Sequence, residues 1–132
     1  MAEFAGLFKP GSLEPLYTPE RLHVIEHMNS ALCEAVSLAE CRVAPGVTTQ
    51  LHSLTIAERY VIQRGRGLME LNGEEPFPVG PQDCVAIPPG AAQRIRNVGV
   101  DELVFLCVCT PRFKPESYVV LEDDTTPEIE VA

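Results

Sequence analysis

Polar and apolar residues alternate with period two along most of this chain. In Ala35–Val43, Val36, Leu38, Glu40 and Arg42 alternate with Ser37, Ala39, Cys41 and Val43. Such a run is a half-buried β-strand, because successive side chains leave opposite faces of an extended backbone. The same reading predicts strands at Glu20–Met28, Thr48–Leu54, Glu58–Arg64, Leu68–Leu71, Cys84–Ile87, Ala92–Val98 and Tyr118–Leu121. In the first of these Leu22, Val24 and Glu26 share one face, with His23, Ile25 and His27 on the other. Leu103–Thr110 is apolar throughout and reads as a central strand. Between the strands stand Pro45-Gly46, Gly65-Arg66-Gly67, Asn72-Gly73, the Pro-rich stretch Glu74–Gln82 and Pro88-Pro89-Gly90. Asn-Gly is the strongest of these, a hairpin signal. Asn29–Glu34 supplies turn chemistry or one helical turn, and Glu74–Gln82 has room for one short edge strand. Nine or ten short strands, little helix and turns every eight to twelve residues predict an all-β sandwich or barrel.

Composition narrows the picture. The 132 residues make one domain. Residues 1–19 carry Pro10, Gly11, Pro15 and Pro19 and little period, an irregular arm with one short pairing segment expected around Phe4–Phe8. Residues 122–132 hold Glu122, Asp123, Asp124, Glu128 and Glu130, a tail expected to be solvated and flexible. A formal net charge of −9 argues against nucleic acid and anionic membrane surfaces as partners. The longest apolar run, Leu103–Cys109, is too short to span a bilayer. No signal peptide is evident, and five cysteines cannot all pair within the chain. Cys41, Cys84, Cys107 and Cys109 lie in apolar runs and read as small buried hydrophobes of a cytoplasmic, reducing setting. Cys107 and Cys109 share a strand face, and core packing is the favoured reading for both.

Candidate chemistry concentrates in Gly46–Gly65. Gln50, His52 and Leu54 share a face by alternation, and Glu58 returns to it past a turn near Thr55–Ala57. An amide, an imidazole and a carboxylate in one space suit a metal or a polar small molecule. Tyr60, two residues after Glu58, faces the same interior, to donate a hydrogen bond to a ligand or simply to pack. Arg94 and Arg96 alternate with Gln93 and should point away from the site.

Two blocks carry a resemblance. The first is Gly46-x5-His52-x-Leu54-x3-Glu58-x6-Gly65, the second Asp83-x4-Pro88-x-Gly90-x2-Gln93-x3-Asn97. In order and spacing they resemble the two motifs of the cupin superfamily, Gly-x5-His-x-His-x3,4-Glu-x6-Gly and Gly-Asp-x4-Pro-x-Gly-x2-His-x3-Asn. The ending Cys109–Phe113 is similar to a subset of small single-domain bacterial cupins. The resemblance runs from about Val36 to Pro111. It implies a double-stranded β-helix, or jelly-roll, barrel, homodimeric through its N-terminal strands, with a small-molecule ligand in the barrel.

This chain departs from the pattern where metal ligands are expected. His52 and Glu58 are kept, Leu54 stands at the second His, Gln93 at the third, and Gln82 replaces the Gly before Asp83. The resemblance thus implies a metal on His52, Glu58 and Gln93, with Gln50 filling in as in some cupin sugar-phosphate isomerases. One imidazole and oxygen donors would accept Zn²⁺, Mn²⁺, Ni²⁺ or Fe²⁺. The other reading is a metal-free, hydrogen-bonded cluster in which His52 and Glu58 exchange protons. Two functions follow. One is an isomerase-, cyclase- or lyase-type enzyme with His52 and Glu58 catalytic and Gln50, Tyr60 and Gln93 binding the ligand. The other is a binding barrel, a sensor or store, without chemistry.

Overall fold

A computed structural model describes residues 4–131. Eleven strands run β1 (Leu16–Tyr17), β2 (His23–Met28), β3 (Ser37–Val43), β4 (His52–Leu54), β5 (Ala57–Arg64), β6 (Gly67–Leu71), β7 (Phe77–Val79), β8 (Cys84–Ile87), β9 (Gln93–Asn97), β10 (Leu103–Thr110) and β11 (Tyr118–Val120). They form two antiparallel sheets, β1-β2-β3-β10-β5-β8 and β11-β4-β9-β6-β7, which face each other as a jelly roll. Among the described residues the only helical turn is 3₁₀, at Pro115–Ser117.

β10 is central, paired on one side with β3 and on the other with β5. The β5–β10 register sets Glu58 against Cys109, Tyr60 against Cys107 and Ile62 against Phe105. All six side chains therefore point between the sheets, and a slip of one residue would turn each outward. At one end the interior is closed by Val43, Ile62, Met69, Ile95, Leu103 and Phe105, all at 0% exposure.

The turns explain the Gly, Pro and Asn skeleton. Asn72 (φ 53°) and Gly73 (φ 68°) both adopt left-handed backbone, and Glu74 N donates to Leu71 O at 3.0 Å, as a two-residue β-turn of the primed type requires. Gly65 has φ 90°, and a Cβ there would lie 2.9 Å from Glu102 O. Asn97 is fully buried; its side-chain amide donates to Val43 O and Asp101 O, both at 2.8 Å, and its Oδ1 accepts from Gly99 N at 2.9 Å. It thereby ties the turn after β9 to the end of β3. Gln82 has φ 74°, so the residue standing where the motif has Gly still adopts the backbone that glycine favours.

Some expectations are corrected. Phe4–Phe8 forms no strand, though the two rings touch edge to face at 5.4 Å. The arm's pairing segment is instead Leu16–Tyr17, against β2. The strand expected from Thr48 begins only at His52, with a single bridge from Thr48 to Arg96 before it. Cys84 is exposed rather than buried. Arg94 points away from the interior yet is 94% covered: it pairs with Glu70 at 3.0 Å and donates to Pro127 O at 2.7 Å. The tail that Arg94 meets packs on the barrel, with Ile129 buried. Glu122 accepts both guanidinium nitrogens of Arg21, at 2.8 and 2.9 Å, and Leu51 N at 2.9 Å.

Candidate functional site

The two sheets part at the end opposite the packed core and leave a cavity of about 320 Å³. Its walls are mainly aliphatic and aromatic. Its titratable acids and base are Glu20, Glu26, Glu58 and His52, beside the hydroxyls of Thr18, Ser37 and Tyr60 and the thiols of Cys41, Cys107 and Cys109.

His52 opens β4, opposite Gln93 of β9 and Val120 of β11. Its Nδ1 lies 2.7 Å from Gln50 O. A carbonyl oxygen only accepts, so Nδ1 carries the proton and Nε2 keeps its lone pair. The ring stacks on Tyr118 with centroids 4.5 Å apart. Burial pulls the His52 pKa below its ordinary value, leaving a neutral imidazole with a basic nitrogen.

Glu58 is 5% exposed. Its Oε2 accepts a short hydrogen bond from the Cys107 thiol and has Cys109 Sγ at 3.7 Å. Its Oε1 has no partner. Burial drives its pKa up, against weaker opposing effects of the two thiols and the Gln93 amide. The Cys107 thiol is itself held well above its usual range, through its hydrogen bonds to Cys109 and Cys41, burial and the nearby Glu58 carboxylate. It is a donor here and not a thiolate.

Gln93 lies fully buried behind these groups, its Oε1 accepting from Tyr60 OH at 2.7 Å and its Nε2 without a partner. Tyr60 lines the cavity with its ring, stacked on Phe105 at 4.3 Å, while its hydroxyl is used by Gln93. Gln50 does not line the cavity. It works as a bracket: its carbonyl holds His52, its Oε1 accepts from Tyr118 OH at 2.8 Å, and its N–H donates to Glu20 O at 3.0 Å. Leu54 lines the cavity, as the strand alternation required.

Three groups were not singled out by the sequence. Cys107 and Cys109, read as core packing, are hydrogen-bond partners of Glu58. Glu20 sits in the turn before β2 and faces the cavity, and burial together with the Glu58 charge raises its pKa to about 7. A signal for it existed: Glu20 is in phase with Leu22, Val24 and Glu26, all of which line the cavity.

The metal expected on His52, Glu58 and Gln93 can be tested against these positions. With Gln93 Oε1 taken by Tyr60, the group it turns away from Tyr60 is an amide N–H₂, which cannot ligate. Leu54 offers no donor either. Counting His, Cys, Asp and Glu side chains of the described residues, the grouping whose donor atoms lie within 4.8 Å of one another is Glu58, Cys107 and Cys109, and His52 is outside it. The His/Glu/Gln set therefore does not fit a cation, while the carboxylate and two thiols could hold one.

These features define a jelly-roll barrel with a small, mostly apolar pocket and a buried acid–base cluster. A model of the Cupin domain matches residues 39–109, more than half of the chain, so the protein belongs to the cupin family. Comparison with curated proteins gives no match. Solved structures similar to this chain include Bacillus subtilis oxalate decarboxylase at pH 4.6, at 19% identity and TM-score 0.76, covering 92% of this chain and 33% of that one. Streptomyces PAC13 with uridine is 15% identical at TM-score 0.72, with 92% of each chain covered. A Cupin 2 conserved barrel domain protein from Salinispora arenicola CNS-205 is 22% identical at TM-score 0.65, covering 83% of this chain and 89% of that one. At these identities the likeness establishes the fold. No described helix is long and apolar enough to cross a membrane.

Proposed function

We propose that this cupin is an enzyme of the isomerase, cyclase or lyase type that moves a proton on a small organic molecule bound in the cavity. One observation carries the reading: a neutral imidazole with a free Nε2 and a carboxyl held toward its protonated form face the same apolar space. Isomerisation and elimination both need one group to take a proton and another to give one. His52 Nε2 takes a proton from carbon beside an electron-withdrawing group. Glu58 gives its proton to the oxygen that becomes a hydroxyl or leaves as water. The C–H bond breaks as N–H forms, and O–H forms at the acceptor, so the protons balance. Gln50 and Tyr118 hold the imidazole in the required tautomer and plane, and the Cys107 thiol steadies the Glu58 carboxylate once it is charged.

The similar structures support a class and no more: a decarboxylase and a uridine-bearing protein share the fold, and cupin barrels host unrelated chemistries. The five cysteines, all free thiols, support a reducing, cytoplasmic setting.

Deuterium incorporation tests the proposal with the substrate still unidentified. Purified protein is incubated with a metabolite extract in D₂O and the extract is read by mass spectrometry. At least one metabolite should gain deuterium with the native protein, after EDTA dialysis as well as before. Labelling should fall at least about a hundredfold with His52→Gln or Glu58→Gln, the usual weight of a general acid or base. A metabolite that binds saturably yet never gains label would instead make the barrel a binding module.

A further inference from the structure

We propose that the cavity selects a small organic cation, a protonated amine carried on an apolar body, and rejects carboxylates and phosphates. This rests on the reading of the cavity as the substrate site and adds the class of molecule that it takes.

The charges around the cavity are all of one sign. Glu20, Glu26 and Glu58 line it, and no Lys or Arg among the described residues does. The arginines next in sequence to lining residues are committed elsewhere. Arg21 is held by Glu122 through two hydrogen bonds, Arg59 donates to Thr110, and Arg112 is shared between Glu34 and Asn29. An anionic ligand would meet three carboxyls and no counter-charge.

One of these carboxyls is buried with an oxygen left unbonded, and a second, half-buried, has no partner in the protein. Glu58 is 5% exposed, lines the cavity and leaves Oε1 unbonded. Glu20 makes no side-chain hydrogen bond or ion pair with any described residue, although its backbone is pinned by Gln50 N at 3.0 Å. A fold that fixes the backbone of an acid while leaving its carboxyl without a partner has left that partner to come from outside. An ammonium group supplies up to three N–H donors and one positive charge, and so pairs with the Glu20 carboxylate while Glu58 keeps the proton that the reaction needs.

The remaining wall fits the other end of such a molecule. Tyr60, Phe105 and Phe113 contribute aromatic surface, and Leu22, Val24 and Leu54 aliphatic surface. Aromatic faces also attract cations directly. About 320 Å³ is at the small end for ligand sites and favours a metabolite of modest size.

A matched trio of probes tests the proposal by isothermal titration: 3-phenylpropylamine, 3-phenylpropan-1-ol and 3-phenylpropanoate. The amine should bind saturably, the alcohol about tenfold more weakly, and the carboxylate not at all, as one favourable or unfavourable charge contact dictates. Glu20→Gln should weaken the amine about tenfold and leave the alcohol unchanged, which also shows that the variant is folded. The inference falls if the amine fails to bind, if the carboxylate binds as well as the amine, or if Glu20→Gln binds the amine normally. The outcome is separable from that of the proposed reaction. Amine binding with no deuterium label in any metabolite would keep the ligand class and remove the catalysis. Label appearing only in carboxylates or phosphates would keep the catalysis and remove the ligand class.

Discussion

The two ends of the barrel are built from the same strands and obey different rules. β5 carries Glu58, Tyr60 and Ile62 inward in succession, and β10 answers with Cys109, Cys107 and Phe105. At the Ile62–Phe105 end every inward group is apolar, and exposure falls to 0%. Four residues along, Glu58 is nearly as buried but keeps an unbonded oxygen, and Gln93 beside it keeps an unbonded nitrogen. One end holds the barrel together by burial, roughly 25 cal/mol for each Å² of apolar surface. The other end spends part of that stability to hold polar groups away from water. Two of the three unsatisfied buried polar atoms among the described residues, Glu58 Oε1 and Gln93 Nε2, lie at the cavity end, and the third, Thr48 Oγ1, lies outside the cavity beside Arg96.

Mutations should separate the two ends. The largest effect is expected at the packed end: Phe105→Ala should cost about 3–5 kcal/mol in urea unfolding, because the ring is fully buried against Tyr60. A loss below ~1 kcal/mol there would mean that the core is not where the stability resides.

The next effect has the opposite sign. Glu20 titrates near 7 when folded and near 4.5 when unfolded, so the folded state binds the extra proton between those values. Its ionisation therefore costs nothing below about pH 4.5, and the cost is complete above about pH 7. Glu20→Gln should leave stability unchanged near pH 4 and raise it by about 2 kcal/mol at pH 8, a figure already reduced for partial exposure. Thermal melts at the two pH values measure the difference. A variant that is no more stable at pH 8 than the native protein would show that the carboxyl is already satisfied.

The smallest effect belongs to the rim. Glu122→Gln removes one charge from the Arg21 pair, and a loss of about 1 kcal/mol is expected, diminishing in high salt. If 1 M NaCl leaves that loss undiminished, the contribution is packing and not charge.

The barrel was legible in the sequence because its signals are local. Asn72-Gly73, Gly65 and Asn97 each sit at a turn whose backbone or hydrogen bonds need that residue, and alternation assigns faces within a strand. His52 and Glu58 were legible by the same motif spacing. What was not legible depends on pairing between distant segments. That Cys107 and Cys109 meet Glu58 follows from the register of β5 against β10, some fifty residues apart, which no local pattern states. Gln50 and Gln93 were expected to face a ligand; one became a bracket for His52 and the other a buried partner of Tyr60, because each found a tyrosine hydroxyl supplied by another strand. At the tail, the burial of Ile129 and the carbonyls of Pro127 and Ile129 that receive Arg94 and Arg96 are contacts that the acidic composition does not signal.

The Arg21–Glu122 pair joins residues 101 positions apart, and Tyr118 of the last strand is the surface on which His52 lies. The cavity is thus finished by a stretch of chain made after β10. A nascent polypeptide can form the packed end as soon as β10 leaves the ribosome, while its imidazole still lacks a stacking partner and the turn bearing Glu20 lacks its anchor. Order of synthesis thereby becomes order of assembly, with the scaffold first and the supports of the reactive groups afterwards.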